Sequence, residues 1–206
     1  MRQPTASTVL IAVLLVAGCG GGPRDATGTA TPPVTAPPAT TAPTPTGTAF
    51  NPTDIAWLQL TVAMTERLLP VLDLVPARTT DPAWRQTATQ VATTRRADLD
   101  RARRLLADAA APTTNPHEGH DMPGMATAQE MTALRAASGQ PFHHLLAGHL
   151  RAHLAQSVRI ATAEQQSGVQ PATVALAAAV VRSGTADLER LDRLDARQQR
   201  ALSRER

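Results

Sequence analysis

Twenty arginines and no lysine stand against 17 acidic residues in a chain of 206, a net charge of only +3, and two tryptophans and two phenylalanines are its only aromatic residues. The single cysteine, Cys19, excludes an intrachain disulfide framework and leaves everything after it without a thiolate metal site or thiol nucleophile. Basic and acidic residues alternate, as in Asp98-Leu99-Asp100-Arg101 and Glu189-Arg190-Leu191-Asp192-Arg193. That is the pattern of a solvated, salt-bridged helix face, and with so few rings for base stacking the composition points away from nucleic acid.

Arg2 precedes an apolar run from Val9 to Ala17, and Val16-Ala17-Gly18-Cys19 follows directly. The run is shorter than the roughly 20 residues a bilayer span needs, and small residues before a cleavage point mark a processed signal. This is the pattern of a bacterial lipoprotein signal over residues 1–18, cut so that Cys19 becomes the lipidated N-terminus. Residues 19–49 then form a tether almost wholly of Gly, Pro, Thr and Ala, which cannot bury a core and is expected to be disordered. The expected location is the outer face of the cell membrane, with Cys19 as the membrane anchor.

From Phe50 to Arg206 the patterning is helical and long enough for one domain with its own core. Asn51-Pro52-Thr53-Asp54 starts a first helix, along which Trp57, Leu60, Met64, Leu68 and Val71 recur at helical spacing, and Pro70 is expected to kink or end it. Thr80-Asp81-Pro82 opens a second helix to about Ala110. Thr127-Ala128-Gln129-Glu130 reads as a capping box for a short helix ending near Ser138-Gly139. Pro141 opens a long helix to about Gln166, and Pro171 opens the last. No segment alternates as a half-buried strand would. The expected fold is all-α, a four-helix bundle with one short connecting helix.

The two halves of this domain repeat. Sliding the second helix onto the last without a gap matches Pro82-Ala83 with Pro171-Ala172, Val91 with Val180, and Ala97-Asp98-Leu99-Asp100-Arg101 with Ala186-Asp187-Leu188-Glu189-Arg190. The bundle therefore reads as a duplicated helical hairpin, and the same offset sets Met64 opposite His153.

Two groups of residues carry metal-binding chemistry. The loop between the second and the short helix contains His117-Glu118-Gly119-His120-Asp121-Met122-Pro123-Gly124-Met125, and it holds two of the six histidines and two of the five methionines. Imidazole with thioether suits soft or borderline metals, copper above all. In the long helix, His149 and His153 share a face with Phe142, Leu146, Leu150, Ser157, Ile160 and Glu164 and so point into the bundle, as Met64 does from its own helix. The bland alternatives are a polar connector, core histidines satisfied by neighbouring carbonyls, and a methionine that fills space. His143 and His144 fall beside or behind this face and are expected at the surface. Glu164 is a further candidate as a ligand or as the hydrogen-bond partner of a histidine, although two to three turns from His153 argue against the two sharing one ion directly.

The order of lipoprotein signal, Phe50-Asn51, Asp73-Leu74-Val75-Pro76-Ala77-Arg78, the Gly119-to-Met125 loop and Leu134-Arg135-Ala136-Ala137-Ser138-Gly139 resembles the domain of unknown function 305 family. The resemblance runs from Phe50 to about Leu194. It implies a ferritin-like bundle, exported and often membrane-anchored, with copper binding and tolerance implicated for some members. It also implies a His-His pair on the first helix of each half, followed by a methionine. Here the pairs fall on Met64-Thr65 and His153-Leu154, the second methionine is Ile160, and His149 is an addition.

No enzyme is expected. The helices carry no Glu-x-x-His of the di-iron type, the serines no Gly-x-Ser-x-Gly setting, and the glycines no phosphate loop. Two functions remain open. One is a tethered protein that buffers copper through His117, His120, Met122 and Met125, with His149, His153 and Met64 as a second site. The other is an envelope scaffold or interaction module whose metal site has decayed.

Overall fold

The computed structural model describes residues 49–117 and 119–204, except the side chains of Ala201, Leu202 and Arg204. The signal segment, Cys19 and the tether up to residue 48 lie outside the described residues. Six helical segments follow one another: α1 (Pro52–Asp73), α2 (Val75–Arg78), α3 (Pro82–Asp108), α4 (Ala128–Ala136), α5 (Gly139–Ser167) and α6 (Pro171–Arg204). There is no strand among the described residues.

The helix starts are chemically explicit. Asn51 and Asp54 form a reciprocal capping box on α1, and Asp81 accepts from the backbone N–H groups of Ala83 and Trp84 on α3. Thr127 and Glu130 cap α4 in the same reciprocal way. Pro70 does not end α1, which runs on to Asp73 before a turn at Leu74 passes the chain to α2. Leu68, Val71 and Leu72 around it are buried, while Pro70 and Glu66 lie on the exposed side. Packing therefore holds the helix, and the Glu66 carbonyl that Pro70 leaves unpaired faces the wet side.

The four long helices form a ring. α1 packs on α3 and on α5, and α6 packs on α5 and on α3. Exchanging α1 with α5 and α3 with α6 maps this set of contacts onto itself, as a duplicated hairpin requires.

The core is split into two apolar layers. One joins Leu68, Val71, Trp84, Val91, Phe142, Leu146, Leu150 and Leu191, and the other Trp57, Leu58, Leu99, Ala102, Ala161, Leu176 and Val180. Between them lies a polar waist. Its centre is Arg95 of α3, only 2% exposed, with Nη1 2.9 Å from Asp98, and Nη2 3.1 Å from Ser183 and 3.8 Å from Asp187. Asp98 and Asp187 are equivalent positions of the repeat, and Arg95 is matched by Gly184. A Cβ on Gly184 would lie 2.7 Å from Val158 Cγ2 and 3.8 Å from the Arg95 guanidinium, so the waist holds one guanidinium and has no room for a second. Burial pushes the Asp98 carboxyl up, against the pull of Arg95 and Arg101.

A buried cation is expensive to desolvate, and its partners are left uncompensated when it is removed. Arg95→Met should therefore lower stability by about 3 kcal/mol in urea unfolding at neutral pH. Adding Asp98→Asn should return part of that loss; an Arg95→Met variant as stable as the parent would show that the ion cluster contributes nothing.

Candidate metal centre

The loop between α3 and α4 is fastened to α1 at three points. Asn115 Nδ2 donates to the Gln59 carbonyl at 2.7 Å. Arg67 donates to the Ala126 carbonyl from Nε and Nη2, at 3.0 and 2.7 Å, and also pairs with Asp121 at 2.5 Å. Within the loop, Met122-Pro123-Gly124-Met125 is a tight turn in which the Met125 N–H reaches the Met122 carbonyl at 2.9 Å and Gly124 has φ +84°. Proline followed by a glycine at positive φ is the signature of a type II turn. Gly124 is also pressed onto α5, where an added Cβ would stand 3.0 Å from the Ala152 carbonyl oxygen and 3.1 Å from His153 Cα.

This turn sends both thioethers inward. Met125 is buried and Met122 half-buried, and together with Met64 and Ala63 of α1 they form one apolar cluster edged by Leu60 and Ile160. Two loop methionines thus meet a third, Met64, distant in sequence, where the loop covers the bundle.

His153 of α5 holds the same turn from below. Its Nδ1 lies 3.0 Å from the Gly124 carbonyl, and because a carbonyl only accepts, Nδ1 carries the hydrogen and Nε2 keeps its lone pair. A backbone carbonyl holding the far ring nitrogen is the usual support of a metal-ligating histidine. Burial lowers its pKa to about 3, with Arg95 acting in the same direction and the Gly124 bond against it. The imidazole is therefore neutral and able to bind a metal across the physiological range. His149, one turn earlier, is 7% exposed, with Nε2 buried and without a hydrogen-bond partner. Burial depresses its pKa as well, and Glu130 of α4 opposes the shift.

The loop histidines do not join them. His117 is half-buried, with its N–H bonded to Asn115 Oδ1 at 2.9 Å, and His120 is exposed. No three His, Asp or Glu side chains converge on a metal position among the described residues. The loop methionines thus pack with Met64 under a turn bonded to His153, whereas His117 is half-buried and His120 exposed outside that cluster. Sequence spacing missed this because it groups residues that are adjacent in the chain, whereas a type II turn sends Met122 and Met125 to one side.

One other residue departs from expectation. His143 is not at the surface: it is 7% exposed, stacks on Trp84 with ring centroids 4.9 Å apart, and has Nε2 2.7 Å from Thr79 Oγ1. The large ring of Trp84 at the start of α3 covers it, and burial pushes its pKa down. His144 is exposed, as expected. Glu164 lies at the other end of α5, 1% exposed, with both carboxyl oxygens buried and lacking a donor. Burial, reinforced by neighbouring Asp54, raises it to about 8. Asp54 itself accepts from the backbone N–H groups of Asn51, Val169 and Gln170. Glu164 is therefore part of the joint between α1 and the α5–α6 turn.

The model of the family described as Domain of unknown function (DUF305) matches residues 54–195, more than half of the chain. The chain belongs to this family. Among solved structures it is similar to a DUF305 fragment from Deinococcus radiodurans, at 15% identity and TM-score 0.66, over 73% of this chain and 99% of that one. It is also similar to a DUF305 protein from Streptomyces coelicolor described as secreted, at 21% identity and TM-score 0.66, over 71% and 92% of the two chains. At such identities these neighbours establish the helical-bundle fold. No curated protein matches. The DUF305 match contains the polar waist, the methionine loop and both inward histidines.

A carboxyl raised in the folded state keeps a proton that the unfolded chain has released, so it favours folding below its unfolded pKa of about 4.5, and that contribution is lost as pH rises through about 8. Stability should fall across this window by an amount on the order of a few kcal/mol. Glu164→Gln should flatten the dependence and be the more stable form at pH 8; parallel pH profiles for the two proteins would refute this. Gly124→Ala should cost about 1–2 kcal/mol in thermal unfolding, from the positive φ and the contact with α5, and speed hydrogen exchange of the loop amides.

Proposed function

We propose that this DUF305 protein is a membrane-tethered, extracytoplasmic copper-binding protein that holds Cu(I) with Met64, Met122, Met125 and His153. The observation that carries this reading is the packing of three methionine side chains under a turn whose Gly124 carbonyl holds Nδ1 of a buried, neutral His153 and leaves Nε2 its lone pair. Thioether and imidazole are the donor set that selects Cu(I) over harder ions. His149, with its unpartnered Nε2, is the reserve ligand one turn away. Exposed His120 and half-buried His117 are in this reading the residues that meet ions arriving from solvent. Export is supported by the signal pattern before Cys19 and by likeness to the Streptomyces protein that is described as a "putative secreted protein". Cys19 is the anchor in this reading, and the protein acts as a buffer with no catalytic step.

One observation favours the alternative of a scaffold with a decayed site. The waist beside Met64 is lined by Arg95 and leaves a cavity of only about 10 Å³. A fixed guanidinium opposes a second cation there, and it opposes a divalent ion more than a monovalent one.

Titration with Cu(I) under reducing conditions, against a competing chelator, separates the two. The copper reading expects one tight equivalent, weakened about tenfold or more by Met122→Ala/Met125→Ala and by Met64→Ala/His153→Ala, a loss of the size that ligand-shell changes give. It expects little change from His117→Ala/His120→Ala. Equal, weak binding by all four proteins would leave the scaffold.

A further inference from the structure

Along the sequence of α6 acids and arginines alternate, but beyond Arg190 they separate in space. At about 100° per residue, Arg193, Arg197 and Arg200 lie within about 80° of Arg190, whereas Asp192 and Asp195 lie about 140–160° away. The acids turn toward α5, where Arg151 takes both, at 3.1 Å from Asp192 and 2.5 Å from Asp195. The arginines turn toward α3. There Arg190, Arg193 and Arg197 line one wall of a groove of about 200 Å³, faced by Gln86, Thr87 and Gln90. Among the described residues no carboxylate lines this groove.

The nearby acids leave much of this charge free. Asp187 accepts from Arg190 at 2.5 Å but is also 3.8 Å from Arg95. Glu189 is 3.8 Å from Arg193, and both are well exposed, so the pair holds little. Arg197 and Arg200 make no ion pair among the described residues. The helix dipole does not account for the stripe either, because it acts within the last turn and Arg190 and Arg193 lie about three turns before the end of α6.

We propose that the groove between α3 and α6 is a binding site for a phosphate-bearing anion. Guanidinium groups match phosphate oxygens with a two-pronged fork, and the facing glutamine amides and threonine hydroxyl supply neutral donors. Arg190 to Arg197 spans about 10 Å of helix, the scale of one or two phosphate groups. Among the described residues no aromatic side chain lines the groove, so stacked bases have no platform and the recognition is of the phosphate itself. The phosphate comes either from a soluble anion or from the headgroup of an anionic lipid. The site is independent of copper, and it stands whether or not the methionine cluster binds metal.

The test uses the full chain with two probes: inorganic pyrophosphate by calorimetry, and phosphatidylglycerol vesicles by co-sedimentation, with phosphatidylcholine vesicles as reference. Arg193→Gln/Arg197→Gln is compared with Arg104→Gln/Arg159→Gln, which removes the same charge from exposed positions elsewhere. The proposal expects the groove variant to bind at least one probe tenfold or more weakly than the parent, with the other variant within twofold. Loss confined to pyrophosphate identifies a soluble anion, and loss confined to phosphatidylglycerol identifies the membrane surface. Equal weakening by both variants would reduce the effect to net charge and overturn the site, as would the absence of parental binding to either probe.

Discussion

The ion cluster of Arg95, Asp98 and Asp187 is the constraint around which the bundle is arranged. A guanidinium 2% exposed has to find its counter-charges inside the protein, and the repeat supplies them from equivalent positions on α3 and α6. That need divides the core into two apolar layers, draws Ser183 toward the waist and keeps position 184 a glycine. Two hairpins that would otherwise be interchangeable are thereby distinguished, because only one of them carries the arginine.

The waist also decides where a metal could be held. With a fixed positive charge on the axis, the interior between α3 and α6 is a poor place for another cation. The opposite side, where α1 and α5 meet, is covered by the loop, and there the donors are uncharged: three thioethers and an imidazole that burial keeps neutral. Arg67 and Asn115 tie the loop to α1 and His153 ties it to α5, so the residues that close the loop over the bundle also orient its methionines. Closing the loop and assembling the soft donor set are one structural event.

Much of the fold could be read from the sequence, because its determinants are local. Asn51, Asp81 and Thr127 are capping residues whose bonds lie within three positions of themselves, and the gapless match of α3 with α6 carried the duplication. The inward direction of Met64, His149 and His153 followed from helical periodicity alone. The meeting of Met122 and Met125 with Met64 could not be read in the same way, since it depends on a turn that docks a long loop onto helices distant in sequence. His143 was misplaced for a related reason: its own helix face is ambiguous, and only the ring of Trp84 from another helix makes it interior. The charge separation on α6 was hidden by strict alternation along the chain, and it emerges once Arg151 claims the acids.

The central claim is that loop and bundle donors form one soft site, and X-ray absorption spectroscopy at the copper edge of the Cu(I)-loaded protein tests it most directly. The account predicts a first shell of two or three sulfur atoms with one nitrogen, and loss of sulfur scattering in the Met122→Ala/Met125→Ala variant. A first shell of nitrogen and oxygen alone would place any bound copper on surface histidines and contradict the account.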